Sequence, residues 1–425
     1  MSNGVNLRPV SVFGAFTMIG MLNRLAFYLL PANVLIDTLL LFSEQLSWLP
    51  MLRAGLLLAL LIYVFARFSG HFKHYSFVVL FLAYCLLQLL FVTDLAKSLN
   101  ITLKVCIPIA SFAVGFHLFN KVQELRRLSI SIVWVFFILI FNFTLSQLLG
   151  LGNAVYSDDS SFRVGNLDDS WNVFTYSVLL TPLILYFVQR NSRIKIITYI
   201  GAFVNAALVL VSIKRIAILG LVTGTLVRWY YALRIRKIVQ SLLVFTLVIS
   251  VAYFLFGEFF EKRIQARSDR FEAGALEREG RFLESQYVWE EILSFENAAK
   301  SLFGLEGFYS VGNYADGRFG DRQLHVDFNL MANTIGVLGL VLYLAMFIQI
   351  ANRMRYYSKR CNLESGFSKL IISIFWMLLL NQFITSFAGQ MYHVSYRLIV
   401  FVFMGSILGI VYRSSYAHST SMQRK

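Results

Sequence analysis

The chain has 425 residues, 58 % hydrophobic and 14 % charged, with a net charge of +15 at pH 7. That share of charge argues against an ordinary soluble domain, in which about a quarter of residues are charged. The lack of alternating segments of about 10 residues argues against an outer-membrane barrel. The positive charges lie in short turns and form no compact basic patch with interleaved aromatics, so membrane lipids rather than nucleic acid are the expected surroundings.

Apolar stretches long enough to cross a bilayer as helices recur along the chain, which predicts an all-α polytopic membrane protein with about twelve spans. The first lies near 10–30 or is shifted toward 25–43; Asn23 and Arg24 interrupt it, and 31–47 has room for an interfacial helix. The next four fall near 49–67, 75–93, 101–119 and 128–149. Four more follow near 172–189, 194–212, 215–233 and 238–257, and the last three near 326–350, 368–388 and 394–412. Between the ninth and tenth runs a long polar stretch from Glu258 to about Val326. Counting Asp327 at its edge, it holds 14 of the 23 carboxylates and 9 Lys+Arg. The rest of the chain keeps 29 Lys+Arg against 9 acids.

Charge in the turns sets the orientation. His71-Phe72-Lys73, Lys121 to Arg127, Arg190 to Lys195, Arg228 to Lys237, Arg353 to Arg360 and the tail after Arg413 are basic and so cytoplasmic, with both termini on that side. The opposite turns carry Asp158, Asp159, Asp168 and Asp169, or the acidic stretch itself. The chain thus divides into a bundle over 1–257, a large external loop over 258–326, a second bundle over 327–412 and a tail over 413–425. A loop of that length is often functional. Phe282, Tyr287, Trp289, Ile292 and Leu293 form an apolar stripe between Glu284, Glu290 and Glu291, which predicts an amphipathic helix on the external face.

Candidate chemistry gathers on that face. Ser212-Ile213-Lys214-Arg215 places two cations on a very short external turn; Arg215 and Lys214 could clamp a diphosphate, since the guanidinium fork binds phosphate oxygens in pairs, or could snorkel to headgroups. His325 and Asn329, with Asn333, lie four apart on one helix face; His325 or Asp327 could take a proton from a hydroxyl, and an interfacial His beside capping neighbours is the alternative. Arg163 could bind phosphate or sugar, or be a solvated loop residue. Arg281 could reach the same cavity or pair with Glu277 or Glu284. Arg397, four from His393, is a second possible anion contact or an interfacial anchor beside Tyr392 and Tyr396. Asn381, Gln382, Thr385 and Ser386 are read as interhelical hydrogen-bonding groups. Gly-Lys-Ser/Thr loops, Asp-x-Asp pairs and zinc-type His pairs are missing, so no cofactor and no metal is expected.

Taken in order, these landmarks resemble the O-antigen polymerase and O-antigen ligase superfamily of bacterial inner-membrane glycosyltransferases. Arg163-Val164-Gly165 followed by Asn172 is similar to that family's Arg/Gly/Asn segment, and Ser212-Ile213-Lys214-Arg215 to its Ser-Arg external turn. Arg281, Trp289 and Leu302-Phe303-Gly304-Leu305-Glu306-Gly307-Phe308 resemble its Arg…Trp…LFGxGF loop. His325 to Asn329, then Gly336 to Leu340, resemble its His-Asn…Gly-x-x-Gly helix; Asp327 and Lys214 depart from the pattern, and the first departure leans toward the polymerase branch. The resemblance spans about 160–345 and implies metal-independent transfer of a glycan from undecaprenyl diphosphate, at the periplasmic face, onto a lipid-linked repeat unit. The alternatives are ligation onto lipid A–core and, from another class, a lipid-linked oligosaccharide flippase. The resemblance also implies a flippase and a chain-length regulator as partners.

Overall fold

The computed structural model describes residues 12–39, 46, 48–149, 154–156, 159–163, 200–201, 215–232, 280–304, 306–319, 323–361, 363–387, 389 and 391–422, with isolated positions between 239 and 261. The span expected over 172–189, all but two residues of that over 194–212 and much of that over 238–257 lie outside these residues, as do Lys214 and most of the first third of the large loop.

Helices make up nearly all of what is described: α1 (Val12–Leu39), α2 (Leu49–Arg67), α3 (Ser76–Gln88), α4 (Leu95–Leu118), α5 (Val122–Leu149), α6 (Arg215–Ala232), α7 (Gly280–Ser294), α8 (Ala298–Phe303), α9 (Asp327–Thr334), α10 (Gly336–Ser358), α11 (Ser365–Thr385) and α12 (Val394–Met422). The exception is an antiparallel hairpin in the loop after α5, where Ala154 of β1 (Ala154–Tyr156) pairs with Arg163 of β2 (Asp159–Arg163). Among the described residues five stretches are long and apolar enough to cross a membrane: 49–67, 95–118, 336–358, 366–385 and 394–416. The chain is a membrane-embedded helical protein.

Local chemistry fixes several boundaries. A proline in the first turn of α2 uses the position where no helical N–H is needed. Asp94 caps α4 by accepting the Lys97 N–H at 3.1 Å, and Asn297 caps α8 by accepting the Lys300 N–H at 3.1 Å. Three expected spans differ. The first is one 28-residue helix that covers both alternatives and carries Pro31 inside it. The run at 75–93 yields a helix of only 13 residues, about 20 Å long at 1.5 Å per residue, which falls short of a bilayer core of about 30 Å. The run at 326–350 breaks at Ile335. Gly336 has φ +69°, and a Cβ there would lie 2.4 Å from the Leu302 carbonyl oxygen; reciprocally, one on Gly304 would lie 2.2 Å from that of Thr334. The backbone of the loop is thus driven into the helix, and the membrane-length apolar helix begins only at Gly336. The expected tail from 413 continues α12 to Met422.

The most enclosed helices, α12 and α4, form the centre. A Cβ on Gly115 would lie 2.0 Å from the Val402 carbonyl oxygen, and one on Gly405 2.1 Å from that of Phe112. Backbone therefore meets backbone, and Ser111 Oγ donates to the Leu398 carbonyl at 3.4 Å across the same seam. Around this pair, α3 and α4 hold the loop after α8. Ser98 and Thr102 hydroxyls donate to the Glu306 and Gly307 carbonyls at 3.2 and 3.0 Å, and the Tyr84 hydroxyl reaches both the Phe303 and Ile335 carbonyls. Phe308 is fully buried there.

Candidate functional site

The segment 280–326 folds back onto the end of α11 and the start of α12, and His325, Asp327, Asn329 and Arg397 come together at that junction. The expected amphipathic helix is α7, but its inward face is different. Phe282 and Leu293 are exposed, whereas Glu284, Val288 and Ile292, four apart, are buried. One turn of that face is tied to α9: the Trp289 Nε1–H donates to Asn329 Oδ1 at 3.1 Å and Asn329 Nδ2 donates to Ser285 Oγ at 2.7 Å. Asn329 is thus brought into the site as a brace between two helices.

Asp327 opens α9 and is 1 % exposed. Its backbone N–H donates to the Ser386 carbonyl at 2.9 Å, at the end of α11, and its Oδ1 accepts the Met391 N–H at 2.9 Å, before α12. Burial pushes this carboxyl up to about 6; the guanidinium of Arg397 and the Met391 N–H act in the opposite direction. Arg397 is completely buried. Its Nη1 donates to the Met391 carbonyl at 3.4 Å and its Nη2 to the Tyr343 hydroxyl at 2.8 Å, which sits 3.4 Å from Ser386 Oγ. The expected interfacial anchor is therefore an interior cation joined through Met391 to Asp327. Of the polar patch on α11, Thr385 and Ser386 hydroxyls donate to the Gln382 carbonyl at 3.0 Å each, and Ser386 also ties α11 to α9 and α10.

His325 stands two residues before Asp327 with its side chain 38 % exposed. Its Nδ1 lies 3.3 Å from Glu284 Oε1, and the Tyr314 hydroxyl reaches the same oxygen at 3.5 Å. Its backbone is pinned too, since a Cβ on Gly389 would overlap the His325 carbonyl oxygen. Just upstream, Gln323 Oε1 accepts from Ser310 Oγ at 2.7 Å and from the Tyr392 hydroxyl at 3.1 Å, so the approach to His325 is sewn to both the loop and α12.

The remaining candidates are placed less fully. Arg215 is the first residue of α6, which packs along α11 with Gly224 against Met377. Arg163 ends β2. The side chains of both, and all of Lys214, are outside the described residues. Arg281 is in the first turn of α7, one turn before Ser285, whose hydroxyl donates to its carbonyl at 2.8 Å. Glu284, Tyr343 and the Met391 backbone were not singled out by sequence. Glu284 differs from Glu290 and Glu291 only in lying four before Val288 and eight before Ile292. Among the described residues no three His, Cys, Asp or Glu side chains come together to hold a metal.

No known protein-family model matches the chain, and no curated protein matches it.

Proposed function

We propose that this protein is a surface-polysaccharide polymerase of the O-antigen type, transferring a growing glycan from undecaprenyl diphosphate onto the free hydroxyl of a lipid-linked repeat unit. In this reading the chain crosses the bacterial inner membrane twelve times, the crossing at 75–93 being completed by the residues after the short α3, with both termini cytoplasmic, and the 258–326 loop, the start of α9, the end of α11 and the start of α12 face the periplasm. The observation that carries it is the convergence at one rim of a part-exposed imidazole, His325, with the buried charges Asp327 and Arg397, where a large polar segment folds back over apolar helices.

The chemistry asks for two things. A hydroxyl must lose its proton as it attacks, and a diphosphate must leave with its charge rising. His325 suits the first role because it reaches solvent, while Asp327, 1 % exposed and accepting from Met391, is held inside. Arg215, with Lys214 and Arg281, suits the second through fixed positive charge at the membrane surface. In the proposed topology α6 runs antiparallel to α11, and Arg215, nine residues or about 14 Å of helix before Gly224, then starts level with Thr385 and Ser386.

The test is a gel of surface glycans from a strain deleted for the gene and complemented with variants. A core carrying one repeat unit and no ladder means polymerase. Bare core with long glycan left on undecaprenyl diphosphate outside the cell membrane means ligase, and single lipid-linked repeats trapped on the cytoplasmic face mean flippase. Complementation with Arg215→Ala or His325→Ala is expected to leave the protein inserted at normal level and to restore no ladder; a wild-type ladder from either removes the role given to that residue.

A further inference from the structure

Glu284 is completely buried, on the face of α7 that also buries Val288 and Ile292. A carboxylate taken out of water costs several kcal/mol unless it is bonded, and its partners here include the His325 imidazole, 41 residues on, and the Tyr314 hydroxyl. Spacing between the two ionisable groups is held by more than their own contact. One turn along both helices, Trp289 and Ser285 grip the two ends of the Asn329 amide, so α7 and the 325–329 segment cannot slide past one another. The exposure is graded as well: the carboxylate is sealed, while the imidazole next to it is 38 % open. With Nδ1 engaged by the carboxylate, Nε2 is the nitrogen left for a ligand.

On the reading of His325 as base, we propose that Glu284 is its positioning residue and that the two form a carboxylate–imidazole dyad. Glu284 accepts the Nδ1–H, which fixes the tautomer with a lone pair on Nε2. As the acceptor hydroxyl oxygen bonds to the anomeric carbon, its proton passes to Nε2. The bond from that carbon to the diphosphate oxygen breaks, and undecaprenyl diphosphate leaves with the electron pair. The imidazolium faces the Glu284 carboxylate until its Nε2 proton returns to water at the open edge.

The full chain, purified into nanodiscs, is assayed with undecaprenyl-diphosphate-linked glycan extracted from the deletion strain. Glu284→Gln is expected to lower kcat about 100-fold, the low end of what a well-placed base is worth, with KM changed less than about twofold. Glu284→Asp is expected to recover part of the loss. In a His325→Ala background Glu284→Gln is expected to cost nothing more, because the group it orients is gone. A wild-type kcat for Glu284→Gln, or an equal further loss without His325, overturns the dyad and leaves the glycosyltransferase reading standing. Failure of both Glu284 variants to insert makes the residue a packing group and overturns it too. Wild-type turnover by His325→Ala, or no transfer by the wild-type chain, removes the reading itself and the dyad with it.

Discussion

Asp327 and Arg397 are enclosed opposite charges linked through a single residue: the Met391 N–H goes to one and the Met391 carbonyl to the other. Removing either leaves the other's charge buried with less compensation, so Asp327→Ala and Arg397→Ala should each lower the thermal midpoint of the purified protein. Asp327 also makes stability depend on pH. Its carboxyl holds a proton up to about 6 in the folded chain, against 3.8 for an ordinary aspartate. Between those two values the folded chain binds a proton that the unfolded chain has lost, so this contribution declines as pH rises through the window. Thermal melts of the detergent-purified protein should show a midpoint falling from pH 4 to pH 6 on this account, and Asp327→Asn should flatten that part of the slope. The four-residue spacing of His325 and Asn329 made one face of this cluster legible beforehand. Arg397 was not: position along a helix does not say which neighbour covers it, and a cation at a span end reads equally as an anchor or as an interior group.

At the scale of elements, the sequence was most readable where a helix needed only length and apolarity, as at 49–67, which matches its expected bounds. It was least readable where burial had to be assigned to a face. Phe282 and Leu293 are exposed while Glu284 is buried, the reverse of the soluble-protein rule. Hydropathy along α7 cannot say which of its sides the rest of the chain covers, because Tyr314 and His325, the groups that cover Glu284, lie 30 and 41 residues further on. The break at Ile335 was hidden for a related reason: Gly336 reads as a helix-packing glycine until the loop glycine it opposes, Gly304, is seen. The seam between α4 and α12 yields a sharper expectation. Gly405→Ala would drive its Cβ into the Phe112 carbonyl oxygen, whereas the Cβ of Gly55→Ala on α2 meets nothing within 4 Å. Size-exclusion profiles of fluorescently tagged protein should lose the monodisperse peak in the first variant and keep it in the second.

For the whole molecule, the proposed orientation separates two ends that can be labelled. With Cys85, Cys106 and Cys361 replaced, a cysteine at Glu296 or Gly312, both exposed in the large segment, should react with a membrane-impermeant maleimide added to spheroplasts. A cysteine at Lys359, exposed after α10, should react only once the membrane is opened. Labelling of Lys359→Cys in sealed spheroplasts would invert the orientation and move the candidate site away from the periplasm.

The double tie of Asp327 to Ser386 and Met391 has a consequence for synthesis. A ribosome delivers Asp327 some sixty residues before the amide and carbonyl that complete its surroundings, so a nascent chain stopped between Asn329 and Met391 holds all of His325, Glu284 and Asn329 and still has no closed junction. A copy terminated in that interval keeps Asp327 but never gains the Met391 amide that, together with the Ser386 carbonyl, encloses it.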